Sequence, residues 1–153
     1  MNLFILIFLW VFIVIGLCMI WRGIQTIKTA IETKKWLYTL GEIVRSDVSE
    51  SDDDDGKKFY TPVVEYTYSV NGCQYKGNTI LIGANLSDYR RAKPQKVASK
   101  YVTNQKISVY YNPNKPQISV IETGLHKTTF FELFFGILWT SGVSAMYIWA
   151  STN

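Results

Sequence analysis

Two clusters of charge are the first places to look for chemistry in this chain. The run Asp52–Asp55, inside "SDDDDGKK", has the composition of a calcium loop. An EF-hand needs acidic ligands at loop positions 1, 3, 5 and 12 and a glycine at 6. Placing Gly56 at position 6 puts Asp53 and Asp55 correctly, but it also puts Ser51 at 1 and Pro62 at 12, where neither can serve. The run therefore reads as a solvated loop between strands. The second cluster is basic: Arg90, Arg91, Lys93, Lys96, Lys100 and Lys106 follow one another with no acidic residue among them. Such a run suits a polyanion or a protein partner, and equally suits a solvated surface. Its aromatics are not interleaved as stacking platforms, so nucleic acid is not expected and anionic lipid is the nearer polyanion.

Catalytic chemistry finds little to build on. His126 is the single histidine, beside Lys127, and one histidine makes neither a metal centre nor a recognisable nucleophile–base pair. Glu132 is an ionisable group near the start of an apolar run, which makes it a functional hypothesis by default or a residue reaching head-group water. Cys18 and Cys73 have no C-x-x-C spacing and form no disulfide framework. Asn85-Leu86-Ser87 matches the glycosylation triplet without supporting context. No catalytic, cofactor-binding or metal-ligating residue is nominated, and no cofactor is expected.

The elements that must position these residues are legible from hydropathy. From Leu3 to Trp21, "LFILIFLWVFIVIGLCMIW" has no charge, and at about 1.5 Å per helical residue it covers ~29 Å, a bilayer's hydrocarbon thickness. From Phe130 to Ala150 a second run carries only Glu132. Both predict transmembrane helices (3–21 and 130–150), flanked by Trp and Tyr as at an interface. The first run reads as a retained span, because its n-region has no positive charge and no small-residue cleavage site follows. Residues 22–35 continue the helical period through Ile24, Ile27 and Ile31, predicting a juxtamembrane amphipathic extension that packs on the domain beyond it or holds anionic head groups. In the second run Gly136, Thr140 and Ser144 recur every four residues, a small-residue stripe that Gly16 of the first run could face. The same stripe suits a homo-oligomer or a partner's helix.

Between the spans the period changes to two. "LGEIVRSDVSE", "FYTPVVEYTYSV", "CQYKGNTILI", "KISVYY" and "QISVIE" predict five short strands, with Pro62 marking an edge or bulge and Asn71-Gly72 a type I′ turn. Pro94 can open one short helix. The expected fold is a membrane helical hairpin plus a small antiparallel β-sandwich or partly open barrel over 36–122. All sixteen Lys and Arg lie between Arg22 and Lys127. The positive-inside rule then puts the β-domain in the cytoplasm and both termini outside the cell membrane.

These motifs resemble a widespread, mostly bacterial family of small membrane proteins catalogued as a domain of unknown function. The likeness rests on Trp36, Gly41 and Val44, on a Y-x-Y-x-V-x-G hairpin (Tyr66, Tyr68, Val70, Gly72) and on a V-Y-Y-x-P-x-x-P turn (Val109, Tyr110, Tyr111, Pro113, Pro116). The family's usual Pro and Gly after the tyrosine at 101 are here Val102 and Asn104, and Asn tolerates a left-handed backbone. The resemblance implies an architecture and no catalytic residues. The expected function is a non-catalytic, membrane-anchored binding module for a protein partner or anionic lipid. An immunity-type protein neutralising a toxin and an accessory subunit of a transport or channel complex are the alternatives.

Overall fold

The computed structural model describes residues 3–152. Helix α1 (Leu3–Glu32) ends in a 3-10 turn at Thr33–Lys35 and delivers the chain to five strands: β1 (Leu37–Asp52), β2 (Lys58–Val70), β3 (Cys73–Gly77), β4 (Lys106–Asn112) and β5 (Lys115–Val120). A short helix α2 (Ala92–Ala98) lies between β3 and β4, and a second 3-10 turn (Lys127–Phe130) opens α3 (Phe131–Thr152). Two long apolar helices thus flank an antiparallel β-domain with one short helix, as the hydropathy and the period-two segments predict.

The strands form one open sheet in the order β3-β2-β1-β4-β5. β1 is central because it is long enough to pair twice, with β2 along most of its length and with β4 through Leu37–Glu42. Its register on β2 shifts between Ile43 and Arg45, a bulge that increases the local twist. The sheet then curls until its edges approach. A Cβ on Gly77 of β3 would lie 2.7 Å from the Ser119 hydroxyl of β5, and Ile80, just past β3, accepts hydrogen bonds from the amides of Ile121 and Glu122. Read around the curl, the order β1-β2-β3-β5-β4 with a helix between β3 and β4 is that of a partly open five-stranded Greek-key barrel of the OB type.

Local chemistry accounts for the turns. Asn71 and Gly72 take φ of 51° and 80°, the two positive angles a type I′ turn requires. Asn104 takes φ 67° in the turn before β4, where the related pattern has other residues. Gly41 sits where β1 is paired on both sides, and a Cβ there would meet the Thr67 carbonyl at 2.7 Å, so only glycine lets the three strands close up.

The core is unusually phenolic. Ile43, Val64, Val70, Ile80, Val109 and Ile121 pack around Tyr66 and Tyr68, with Leu81, Leu86, Val97 and Tyr101 of the 78–104 segment closing the layer. Each buried aliphatic side chain contributes roughly 1.5–3 kcal/mol. The tyrosines also close the barrel. The Tyr66 hydroxyl donates to the Thr79 carbonyl (2.9 Å) and lies 3.1 Å from Ser119 Oγ, while Tyr68 donates to the Pro116 carbonyl at 2.6 Å. Burial pushes the Tyr66 phenol up to about 12, against the pull of its Ser119 and Thr79 hydrogen bonds.

Tyr66→Phe should therefore destabilise the domain by about 1–2 kcal/mol, since it removes the link between β2 and the β5 edge. The pH dependence gives a second readout. The folded state holds the Tyr66 proton more tightly than the unfolded chain, so this stability is complete below about pH 10 and is lost as pH rises towards about 12. Denaturant titrations across that window should fall less steeply for Tyr66→Phe. A residual slope should remain from Tyr101, which burial and the Glu122 carboxylate also raise.

Candidate functional site

The two long helices pack antiparallel through glycines. A Cβ on Gly23 would meet the Leu133 amide at 2.8 Å, and one on Gly136 the Ile20 amide at 3.0 Å. Gly16 faces Thr140, whose hydroxyl donates to the Gly136 carbonyl at 2.7 Å. Trp139 Nε1 donates across the pair to the Phe12 carbonyl at 3.3 Å. So Gly16, Gly136 and Thr140 lie in the contact between the helices. Ser144 is half-buried further along. Gly23 belongs to the same contact, although no four-residue repeat in its own helix marks it. Away from this contact the pair is apolar and open, with Phe8, Trp10, Leu17, Trp21, Phe134 and Leu138 all exposed.

The hairpin is joined to the barrel by a seam of threonines and glycines. Thr33, at the end of α1, is fully buried; its hydroxyl donates to the Ala30 carbonyl (2.7 Å) and accepts from the Gly124 amide (2.9 Å). Gly83 takes φ 71°, and a Cβ there would meet Thr26 Cγ2 at 2.6 Å and Thr129 Cγ2 at 2.9 Å. The Asn85 amide donates to Thr128 Oγ1 at 2.9 Å. His126 caps the turn into α3: its ring Nδ1 accepts from the Thr128 amide, and its own amide donates to Thr129 Oγ1 at 3.1 Å. Helix, loop and exit segment are thereby fixed to one another.

The structure distributes the charged candidates. Lys93 pairs with Asp88 (3.3 Å) and Lys100 with Glu122 (3.7 Å). Lys106 stands opposite Glu42 in the sheet register. Arg90, Arg91 and Lys96 are exposed and form no ion pair with a described residue. The six residues thus do not act as one field, because Asp88 and Glu122 come to them from outside the run. The Arg90 amide, together with the Lys93 ammonium, holds the Asp88 carboxyl below the usual range. In the acidic loop Asp53 Oδ1 accepts from the amides of Asp55 (3.0 Å) and Lys57 (2.7 Å), and Gly56 takes φ 73°. That carboxylate builds the turn. No group of three metal-ligating side chains forms among the described residues. Cys18 and Cys73 are free and exposed.

Two further features emerge only in three dimensions. Tyr38, Leu40 and Val44 of β1 project from the uncovered outer face of the sheet, 72%, 64% and 50% exposed, and the Tyr38 ring lies 6.2 Å from that of Tyr110 on β4. The signal was present in "LYTLGEIV", apolar on both alternating faces, but which face is covered depends on the pairing with β4. The second feature is a crevice of about 260 Å³ beside the seam, lined by Thr26, Gly83, Asn85, Thr128, Thr129, Phe131 and Glu132.

A small partly open barrel carried on two helices long and apolar enough to cross a membrane defines the class of the protein. Residues 39–126 match the family described as "Domain of unknown function (DUF3592)", and the chain belongs to that family. The match takes in the barrel and the seam as far as His126, and leaves out α1 and α3. Neither the curated proteins nor the solved structures contain a match to this chain.

Thr33→Val keeps the volume and removes both hydrogen bonds, leaving the Gly124 amide unpaired in a buried site. A destabilisation of about 1–3 kcal/mol is expected. Amide exchange should accelerate first around Gly124–His126, with the barrel core keeping its protection.

Proposed function

We infer that the protein is a non-catalytic, membrane-anchored binding module whose barrel offers its uncovered outer sheet face to a protein partner. The observation that carries this reading is the exposed apolar group Tyr38, Leu40 and Val44 on a face that no layer of the described chain covers. Exposed apolar patches of this kind mark interaction sites. The helices support the anchor: only 17% and 6% of their most apolar windows are buried, whereas a core helix would be enclosed. Arg22, Lys28, Lys34, Lys35 and Lys127 crowd the barrel-side ends of the two helices, which favours a cytoplasmic barrel in the cell membrane. Arg90, Arg91 and Lys96 can add attraction to anionic lipid.

Other readings have less behind them. An OB-type barrel invites single-stranded nucleic acid, but the middle of the outer face of β2 and β3 presents Glu65, Thr67, Ser69, Gln74 and Lys76, with no ring among them to stack a base on. The acidic β1–β2 loop would also repel a phosphate backbone. A pore needs free polar lining, yet the Thr140 and Ser141 hydroxyls donate to carbonyls of their own helix. His126 and Tyr101, which an enzyme could use, serve as a helix cap and as a donor to Glu122.

Two measurements test the reading. In a Cys18→Ser, Cys73→Ser background, Ser51→Cys should react with a membrane-impermeant maleimide only after permeabilisation. Labelling of intact cells would place the barrel outside, where a secreted toxin becomes a reachable partner. A photo-crosslinking residue at position 40 should give a discrete protein adduct in cells that position 54 does not. Tyr38→Glu should abolish that adduct without altering the fold, because the site is exposed. Lipid adducts alone, or equal adducts from both positions, would overturn the assignment of this face.

A further inference from the structure

Glu132 is a half-buried carboxylate in the first turn of α3 that makes no hydrogen bond or ion pair with a described residue. A helix N-terminus favours a negative charge there. That accounts for the carboxylate's tolerance, but not for the space beside it. The crevice of about 260 Å³ that Glu132 lines is also lined by Gly83, where any side chain would collide with Thr26 and Thr129. The hydroxyls around it are committed elsewhere: Thr26 donates to the Arg22 carbonyl (3.0 Å), Thr129 accepts from the His126 amide (3.1 Å), and Thr128 accepts from the Asn85 amide (2.9 Å). Glu132 is left as the one charged group on the wall. Phe131, which also lines the crevice, is 67% exposed and adds an aromatic ring to it, stacked on Phe135 at 6.0 Å.

An acceptor-only group next to an aromatic ring, in a recess largely lined by carbon, is chemistry that recognises an ammonium. Its position narrows the source. Gly23 packs on Leu133, so Glu132 sits at the level where α1 changes from uncharged sequence to Arg22 and Lys28. On the membrane reading above, that level is the head-group layer, and Arg22 and Lys127 are exposed cations at the same ends of the two helices. We propose that this crevice binds the primary ammonium of an aminophospholipid head group, with Glu132 as its counter-ion, the Phe131 ring against the amine, and the basic residues Arg22 and Lys127 near the phosphate. This rests on the two helices spanning a bilayer.

The experiment uses the full chain in detergent and native mass spectrometry, with phosphatidylethanolamine, phosphatidylcholine and phosphatidylglycerol offered at equal concentration. Phosphatidylcholine keeps the phosphate and the charge but has no N–H to donate. Phosphatidylethanolamine should be retained about tenfold better than phosphatidylcholine, the range of a charge-assisted hydrogen bond. Glu132→Gln should remove that preference while leaving phosphatidylglycerol uptake unchanged. Thr26→Leu, which keeps the carboxylate but fills the recess, should remove it as well. Free ethanolamine in excess should compete only if the amine alone is recognised, and its failure to compete would assign the site to the lipid. Equal retention of the two zwitterionic lipids, or a preference that survives Glu132→Gln, would overturn the site. Failure to retain any of the three lipids would instead count against the membrane reading itself.

Discussion

The amide of Gly124 reaches the buried hydroxyl of Thr33 across 91 residues of sequence. This contact ties the point where the chain leaves the first helix to the point where it returns towards the second, and the rest of the architecture depends on it. A single hydrogen bond contributes only about 1 kcal/mol net. Its weight comes from what it closes. Helix α3 can lie against α1 through Gly16, Gly23 and Gly136 only if the barrel's exit is brought beside its entry. The barrel, in turn, has its two ends held together by the helix pair. Each module lowers the entropy that the other must lose on folding, so the helix pair and the barrel are coupled rather than strung together by a linker.

The barrel is small, and its hydrophobic core is correspondingly thin. Tyr66 and Tyr68 resolve this by reaching across the interior with rings that fill it and hydroxyls that satisfy backbone or serine groups on the far side. A leucine would supply the apolar area but not the bond between β2 and the β5 edge. A barrel without a continuous ladder between β3 and β5 is thereby held closed by these side chains together with the two amide bonds to the Ile80 carbonyl, with Gly77 allowing the approach. The cost is that part of this closure depends on neutral phenols.

What the sequence made legible divides along the same line between local and long-range physics. The spans, the alternating strands and the Asn71-Gly72 turn follow from residues within a few positions of one another, and the hydropathy and φ preferences of those residues predict them. The barrel order does not, because pairing β1 with β4 is a contact across more than sixty residues that no local pattern encodes. The basic run illustrates the limit. Within the run there is no acidic residue, but Asp88, two residues before it, pairs with Lys93, and folding delivers Glu122 to Lys100 from twenty-two residues away, leaving Arg90, Arg91, Lys96 and Lys106 without an ion pair among the described residues. The acidic loop is similar: Asp53 looks like a ligand in one dimension and is a turn acceptor in three. Glu132 could be singled out from sequence as a charge in an apolar run. The crevice beside it required Gly83, Thr26 and Thr129 to be brought together from three separate segments.

The seam also constrains what a partner on the outer face would experience. Trp36 is almost buried and follows directly on the 3-10 turn Thr33–Lys35, and Tyr38 and Leu40 follow within four residues. Strand β1 therefore follows directly on helix α1, separated from it by a turn whose buried residue is bonded to the exit segment. A flexible tether would let a bound partner tumble above the bilayer. A partner docked on Tyr38 and Leu40, as proposed, would instead be restrained relative to the helix pair, because the turn that precedes the strand is bonded to the exit segment through Thr33 and Gly124. The same coupling would run in reverse: a head group in the crevice beside Gly83, as proposed, would bear on the loop that leads into the barrel's covering layer. On the proposed function, lipid and partner would meet two sides of one unit whose entry and exit are joined at Thr33 and Gly124.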